Sequence, residues 1–577
     1  MTMTTALSTD TAAATALTRT ELVTRHSDRL DAAVRALNSR AAYSAFTGRE
    51  PSGLRGDDAS AAFDALLGST CGVAGQAGVE TRQDDETSPW TREPLGISYP
   101  RVGAEDAVAC ADAARPAWTA LSIDERAAVS IEMVERLFAD NVVLGLAAMH
   151  TTGQGRGMSQ SGSGTNALDR GLEAIAAAWQ ILSRIPTSAT WEQRFGDDVV
   201  SLEKNYRIVP LGTALVVACA SFPAWNVYPS VFANLMTGNA VILKPHPSSV
   251  LQMALAVTVM RETLSEVGCD PDLVQLAVDS AVEPITSVLA THSGVRIVDF
   301  TGSPRYGSWV EQNAHQARVY TETAGINSIV IDSFTDPLNE MRAIAGALSL
   351  FSAQMCTAPQ NIYIPDAGVH TPDGLLTAEE VETGILTAIE AVSASPRRAA
   401  AVLGTIQSQN TLRELDALAN ALRDRATVLR APQAWEAPGF PDARTTTPLI
   451  ARVTPEQHDL FAQECFGPVM FLIRVPDART GLRRAASDAR KYGAITAFLY
   501  STDESLIADT EDAFATAGAA LTINVTGAMP INFSAAFSDF HVSGLNPAGT
   551  ATLTDDSFVT GRFRVVQSRR PLRPSHD

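Results

Sequence analysis

Arg296-Ile297-Val298-Asp299-Phe300-Thr301-Gly302-Ser303-Pro304-Arg305-Tyr306-Gly307 decides how this chain is read. Arg296 to Phe300 has strand character and runs straight into a Gly-Ser turn. Pro304 then suits the first turn of a helix, where its missing N–H leaves nothing unpaired. The same unit recurs upstream. Ala214-Leu215-Val216-Val217-Ala218-Cys219 is a continuous apolar run, as in a strand buried on both faces. A helix is expected over Tyr228 to Met236, closed by Gly238-Asn239, and Ala240-Val241-Ile242-Leu243 is the next strand. Met253 to Val267 reads as helix and Leu273 to Val278 as strand. Such alternation predicts an α/β fold with a parallel sheet covered by helices on both faces. It resumes from Ile344 to Val525, which predicts a second α/β domain. Glu21 to Tyr43, Ala104 to Leu121, Ile123 to Leu146 and Thr165 to Arg184 have helical spacing. Asp197 to Val209 and Phe558 to Val566 alternate as β-ribbon.

A chain of 577 residues exceeds what one core organises, so more than one domain is expected. Apolar residues make up 45% and charged residues 19%, ordinary for a globular protein. The net charge of −20 argues against nucleic acid as the main partner. The longest apolar stretch, near Ala214 to Ala220, is of strand length and far short of a membrane span. Cys71, Cys110, Cys219, Cys269, Cys356 and Cys465 form no C-x-x-C pair and no zinc-site spacing with His, so no metal is expected. Met1 to Thr18 is Thr/Ala-rich without the basic-then-apolar order of a secretory signal, and disorder is expected there. A reducing cytoplasm fits these features. Among 44 basic residues only Lys204, Lys244 and Lys491 are lysine. A lysine surviving in such a chain suggests a place that wants a compact ammonium, with chance as the alternative.

Three further segments carry chemistry. Glu322 lies in Thr321-Glu322-Thr323-Ala324-Gly325, and Cys356 follows 34 positions later in Gln354-Met355-Cys356. Downstream comes Gln463-Glu464-Cys465-Phe466-Gly467-Pro468-Val469. Taken singly each has a bland reading. A lone Cys is usually buried packing, a lone Glu a solvated charge, and Phe-Gly-Pro a turn. Their order and spacing together resemble the aldehyde dehydrogenase superfamily, most firmly from about Val209 to Gly467. The long N-terminus, Thr-Glu-Thr-Ala-Gly-Ile-Asn and Lys244-Pro245-His246-Pro247 look most like its PaaN-type members of phenylacetic acid degradation.

The resemblance implies a set of roles. Cys356 is the nucleophile, Glu322 the general base, and Glu464 with Phe466 holds the nicotinamide ribose. Gly302, Ser303 and Gly307 belong to the Phe-Thr-Gly-Ser-x-x-x-Gly turn, whose backbone N–H groups point at a pyrophosphate. Lys244 reaches the adenosine ribose. Three positions later, where NAD-preferring members often place a Glu, stands Pro247. That absence favours NADP, with NAD as the alternative. The family's oxyanion donor falls on Ser221 by ungapped counting, while Asn226 is the candidate if its side chain swings in. Domain boundaries follow: residues 19–192 and 210–322 for dinucleotide binding with an N-terminal helical extension, 323–555 for catalysis, and 193–209 with 556–571 as an arm joining a homodimer or tetramer. The expected substrate is a small aldehyde, a semialdehyde from aromatic-ring opening, free or CoA-linked. No hydratase-like segment follows Asp577, so ring hydrolysis is expected of another protein. Neither nucleic acid nor membrane is an expected partner.

The chemistry is self-consistent without the family. A thiolate adds to an aldehyde carbon, aimed donors stabilise the oxyanion, a nicotinamide takes the hydride, and a carboxylate activates water against the thioester. A CoA-acylating enzyme would pass the acyl group to CoA and typically lacks the base. A catalytically silent binding protein on this fold is the third reading.

Overall fold

Val241, Ile242 and Leu243 are completely buried, and so are Ala214 and Leu215 on the neighbouring strand. Such runs survive only where helices cover both faces of a sheet, and that is the architecture found. The structure is a computed structural model and describes residues 18–323 and 325–572. Residues 1–17 of the stretch expected to be disordered lie outside these, and Thr18 caps the first helix, Arg19–Ser39.

Among the described residues the first sheet has five parallel strands in the order Val274–Leu276, Ala240–Lys244, Thr213–Val217, Val295–Gly302, Arg318–Thr323. The direction of chain progression reverses between Thr213–Val217 and Val295–Gly302, and a crevice opens beyond the strand ends at such a point. The second sheet runs Thr427–Arg430, Leu449–Val453, Val469–Val475, Asn361–Pro365, Ser328–Ile331, Thr496–Tyr500, Ala520–Ile523. It is parallel except at the edge pair Thr427–Arg430 and Leu449–Val453. Separate apolar clusters fill its two faces, one with Leu482, Ala485 and Ala489, the other with Ile344, Leu348 and Ile385. The α/β class expected from the sequence is the one observed.

A third, antiparallel sheet joins Ser188–Phe195, Asp198–Pro210 and the C-terminal strand Phe563–Pro571. The ribbon expectation is met there with one correction. Phe558 lies in a short helix, Asp556–Thr560, because the Asp555 carboxylate accepts the Phe558 N–H at 2.7 Å and caps it. A second correction concerns Ile123 to Leu146. It is two helices, Ile123–Ala139 and Asn141–Thr152, broken at Asp140. The Ala139 carbonyl accepts from the Gly53 N–H at 3.0 Å, and a Cβ at Gly53 would lie 2.5 Å from that oxygen. Only glycine lets the N-terminal extension come this close.

Candidate active site

The strand ends of the first sheet and loops of the second α/β unit, among them those that lead into Asn361–Pro365 and Val469–Val475, enclose a cavity of about 1150 Å³. Every predicted residue except Gly307 lines it, and each arrives by a local rule. Glu322 sits at the C-terminal end of Arg318–Thr323, and Asn226 in the first turn of helix Pro223–Met236. Cys356 follows an unusual turn in which Phe351, Ser352 and Ala353 all have φ near +50°. Left-handed non-glycine residues cost roughly 1–3 kcal/mol each and need surrounding bonds to hold them. Gln354 supplies two of these bonds, donating to the Thr405 carbonyl at 2.9 Å and accepting from the Gln407 N–H at 2.9 Å. Asn327 supplies more, donating to the carbonyls of Cys356 (2.8 Å) and Ala358 (2.9 Å). Its oxygen accepts from Ile495 and Thr496, tying the cysteine loop to the second sheet.

At the catalytic end Glu322 is 5% exposed. Its Oε1 accepts from Asn226 Nδ2 at 2.9 Å and lies 3.1 Å from His541 Nε2. Its Oε2 is buried with no donor other than the neighbouring Cys356 thiol. Burial raises the Glu322 pKa, but His541 and the bonds from Cys356 and Asn226 outweigh it and hold the carboxylate below its ordinary range. Cys356 keeps a partial opening to the cavity. Burial first, then the Glu322 charge, push its thiol well above the ordinary value. Ser221 is buried on the same wall, and its carbonyl accepts from Gln154 at 2.8 Å. The structure therefore brings Cys356, Glu322, Asn226 and Ser221 to one end of the cavity.

The other end is built from Lys244, Gly302 and Ser303. Ser303 caps helix Pro304–Asn313, its Oγ accepting the Tyr306 N–H at 3.4 Å. A Cβ at Gly302 would lie 2.7 Å from the Phe300 ring, so glycine alone lets the turn close over that ring. Gly307 is not on the cavity wall. A Cβ there would strike Thr323 at 2.7 Å, so it lets the helix pack on the strand that carries Glu322. The Lys244 ammonium is 2.5 Å from the Asp279 carboxylate, with both side chains almost wholly buried. Between the two ends lie Glu464 and the 40%-exposed Phe466. Burial alone pushes the Glu464 carboxyl up to about 8, and no hydrogen bond from the described residues reaches it.

That unpartnered carboxyl, the capped helix end at Ser303 and the cationic Lys244 in one cavity fit a dinucleotide. Glu464 and Phe466 would hold its nicotinamide half, and Ser303 and Lys244 its phosphate and adenosine half. When bound, it supplies the hydride acceptor.

Two residues escaped the sequence reading. His541 stands just before Val542-Ser543-Gly544, where no site residue was expected. Asp279 follows the strand Val274–Leu276 in a stretch without any motif. No helix among the described residues is long and apolar enough to cross a membrane.

Comparison with known proteins agrees with the α/β fold. The profile of the aldehyde dehydrogenase family matches residues 79–554. The crystal structure of an NAD-dependent aldehyde dehydrogenase from Burkholderia multivorans superposes with a TM-score of 0.91 at 40% identity, covering 96% of this chain and 99% of that one. Aldehyde dehydrogenase LUC3 of Fusarium sp is 27% identical over 398 residues, 68% of this chain and 77% of that protein. A 1-pyrroline-5-carboxylate dehydrogenase variant from Thermus thermophilus shares the fold at TM-score 0.72 and 16% identity, over 89% of this chain and 96% of that one. The chain belongs to the aldehyde dehydrogenase family.

Proposed function

We propose that this enzyme oxidises an aldehyde to a carboxylic acid by hydrolysis of an acyl-Cys356 thioester, with Glu322 as the base. The observation that carries this reading is the buried Glu322 Oε2, free of any donor except the Cys356 thiol. A carboxylate oxygen left open beside a nucleophile is placed to accept a proton from water. The same feature favours water over CoA as acyl acceptor.

The Cys356 thiolate adds to the aldehyde carbon. The oxyanion accepts from the Cys356 backbone N–H and from either Ser221 Oγ or Asn226 Nδ2. Asn226 already donates to Glu322, so one amide hydrogen is committed and the other is free. After oxidation Glu322 takes a proton from water, water attacks the thioester, and Cys356 leaves as thiolate.

The dinucleotide is NAD or NADP. Lys244 and Pro247 favour the phosphorylated form. Asp279 opposes it, because it holds the Lys244 ammonium and puts a carboxylate where a 2′-phosphate would need a cation. The balance favours NAD.

For the substrate, the apolar wall of Met158, Phe222, Trp225 and Phe533 suits a hydrocarbon body. Asn532 adds an amide that is 4% exposed with neither polar atom bonded. A semialdehyde with a second polar group fits both, and the PaaN-type resemblance supports one derived from phenylacetate ring opening, free or CoA-linked. The arm exposes Phe195, Val199, Val565 and Val566, apolar surface suited to pairing with a second copy.

The deciding experiment measures reduced dinucleotide and acid product across aliphatic, aromatic and CoA-linked aldehydes. Acid formation without added CoA supports the reading, and strict dependence on CoA overturns it.

A further inference from the structure

The two oxygens of Glu322 are treated differently. Oε1 accepts from Asn226 Nδ2 at 2.9 Å and lies 3.1 Å from His541 Nε2. An ionised carboxylate can only accept, so the imidazole nitrogen facing it carries the hydrogen and donates. Oε2 meets no donor other than the Cys356 thiol. Acylation consumes that thiol, and Oε2 is then bare beside the thioester.

The segment that bears His541 is fastened to the strand that bears Glu322. The Ala548 carbonyl accepts from the Thr323 N–H at 2.7 Å, and the Thr550 N–H donates to the Thr321 carbonyl at 2.9 Å, one bond on each side of Glu322. A Cβ at Gly549 would lie 2.7 Å from the Thr321 carbonyl oxygen, so only glycine lets the two chains come this close. The His541 carbonyl accepts from the Leu553 N–H at 3.1 Å and closes the loop. Val542, the next residue, has φ of +62°. That conformation costs roughly 1–3 kcal/mol and persists only where the surroundings hold it. The imidazole itself is 2% exposed and stands edge-on to the Trp225 indole, with ring centroids 4.5 Å apart.

We infer that His541 is a positioning residue for deacylation: its Nε2–H, with the Asn226 amide, fixes Glu322 Oε1 so that Oε2 faces the thioester and receives the proton of the attacking water. This rests on Glu322 being the base. A carboxylate held by Asn226 alone could turn about that one contact and exchange its oxygens. A second donor, brought by a different part of the chain, removes that freedom. The donors also decide the charge. Burial raises the Glu322 pKa, and His541 leads the contacts that outweigh it. A neutral carboxyl could not take the proton. The ionisable groups facing Glu322 are His541, Cys356 and Cys219. Cys356 is acylated at this stage, and the Cys219 thiol points at the Asn226 oxygen, 3.9 Å away. His541 and Asn226 are the donors that remain. In the step a water O–H bond breaks toward Oε2, a C–O bond forms to the acyl carbon, and the C–S bond breaks with Cys356 leaving as thiolate. His541 neither gains nor loses a proton.

The test reads deacylation alone. p-Nitrophenyl acetate would acetylate Cys356 without any dinucleotide, and decay of the acetyl-enzyme would be followed by intact-protein mass after rapid quenching. Wild type would be compared with His541→Phe, which keeps a buried ring without the donor, and with His541→Gln, which keeps an N–H at similar reach. Decay at pH 7 is expected to slow about tenfold or more in His541→Phe and to stay within about threefold of wild type in His541→Gln. The acid limb of the decay rate should move up by about one pH unit in His541→Phe, because a carboxylate with one donor fewer ionises at higher pH, and should stay in place in His541→Gln. Added to Glu322→Gln, His541→Phe should slow decay hardly further, since it acts through the carboxylate already removed. Thermal melting reports folding, and His541→Leu takes the place of His541→Phe if that variant does not fold. Wild-type decay in His541→Phe overturns the inference. So does equal slowing in His541→Phe and His541→Gln, or a full additional loss in the double variant. The reading beneath it fails separately: acetyl-enzyme that decays at the wild-type rate in Glu322→Gln would show that Glu322 is not the base, whatever His541 does.

Discussion

The two ends of the cavity handle buried charge in opposite ways. At the end proposed for the adenosine the charges are closed on each other: Lys244 on Asp279, with Asp279 Oδ2 also accepting from the Ile285 N–H at 3.1 Å. At the catalytic end they are left open, with Glu322 Oε2 without a donor beyond the thiol and Cys356 Sγ 3.8 Å from an imidazole. A closed pair gives a fixed shape. An open one keeps lone pairs free for a reacting molecule, at the expense of stability, since a buried unpaired acceptor costs about 1–3 kcal/mol. Recognition can use the first arrangement; proton transfer requires the second.

The largest effect should come from removing the open end's proposed nucleophile. Cys356→Ser is expected to abolish nearly all aldehyde oxidation while dinucleotide binding and thermal stability stay close to wild type. Retained oxidation would end the contrast, because the open charges would then serve no reaction. Glu322→Gln should slow steady-state turnover by about 10²–10⁴-fold, the range for losing a general base. Its burst of reduced dinucleotide should survive. A lost burst would place Glu322 before the oxidation step.

The closed end was the harder one to see in the sequence. The gathering of Cys356, Glu322 and Glu464 in one cavity was legible because each sits in a short segment with its own signature. The parallel strands were legible because double-sided burial leaves runs such as Ala240 to Leu243. Asp279 was not legible, because its role depends on meeting Lys244 from a strand 35 positions away, and nothing near either residue announces the pair. His541 was hidden in the same way, being brought to Glu322 across 219 positions by a segment with little regular structure. The stretch before residue 95 buttresses the Lys244–Asp279 end of the cavity. Gln83 donates to the carbonyls of Pro247 and Asp279. Glu86 accepts the first N–H groups of helix Leu251–Glu266 at 2.7 Å. These are contacts of side chains with distant backbone, and no local pattern encodes them.

Opening the closed end should change which dinucleotide is used. Asp279→Asn frees the Lys244 ammonium for a 2′-phosphate. A charge-assisted hydrogen bond of this kind is worth about 1.5–3 kcal/mol, or roughly tenfold or more in affinity. The ratio of kcat/KM for NADP to that for NAD is expected to rise by about that factor from a wild type that favours NAD. A wild type that prefers NADP, with the ratio unmoved by the substitution, would mean that Lys244 never contacts this part of the ligand.

The smallest effect is expected midway between the two ends, at Glu464. Its carboxyl is neutral up to about pH 8 because burial disfavours the charge. A ribose hydroxyl donates best to the ionised form, so a bound dinucleotide should pull this pKa down. A pKa lowered by binding means tighter binding as pH rises toward and past the free-enzyme value, and weaker binding below it. The dissociation constant of the dinucleotide, followed by quenching of tryptophan fluorescence, should therefore fall severalfold between pH 7 and 9. Glu464→Gln keeps the shape and removes the titration, so its binding should be flat over the same range. A wild-type constant that does not change with pH would show that Glu464 is already ionised or does not touch the ribose. The open character of the cavity would then stop at Cys356, Glu322 and His541.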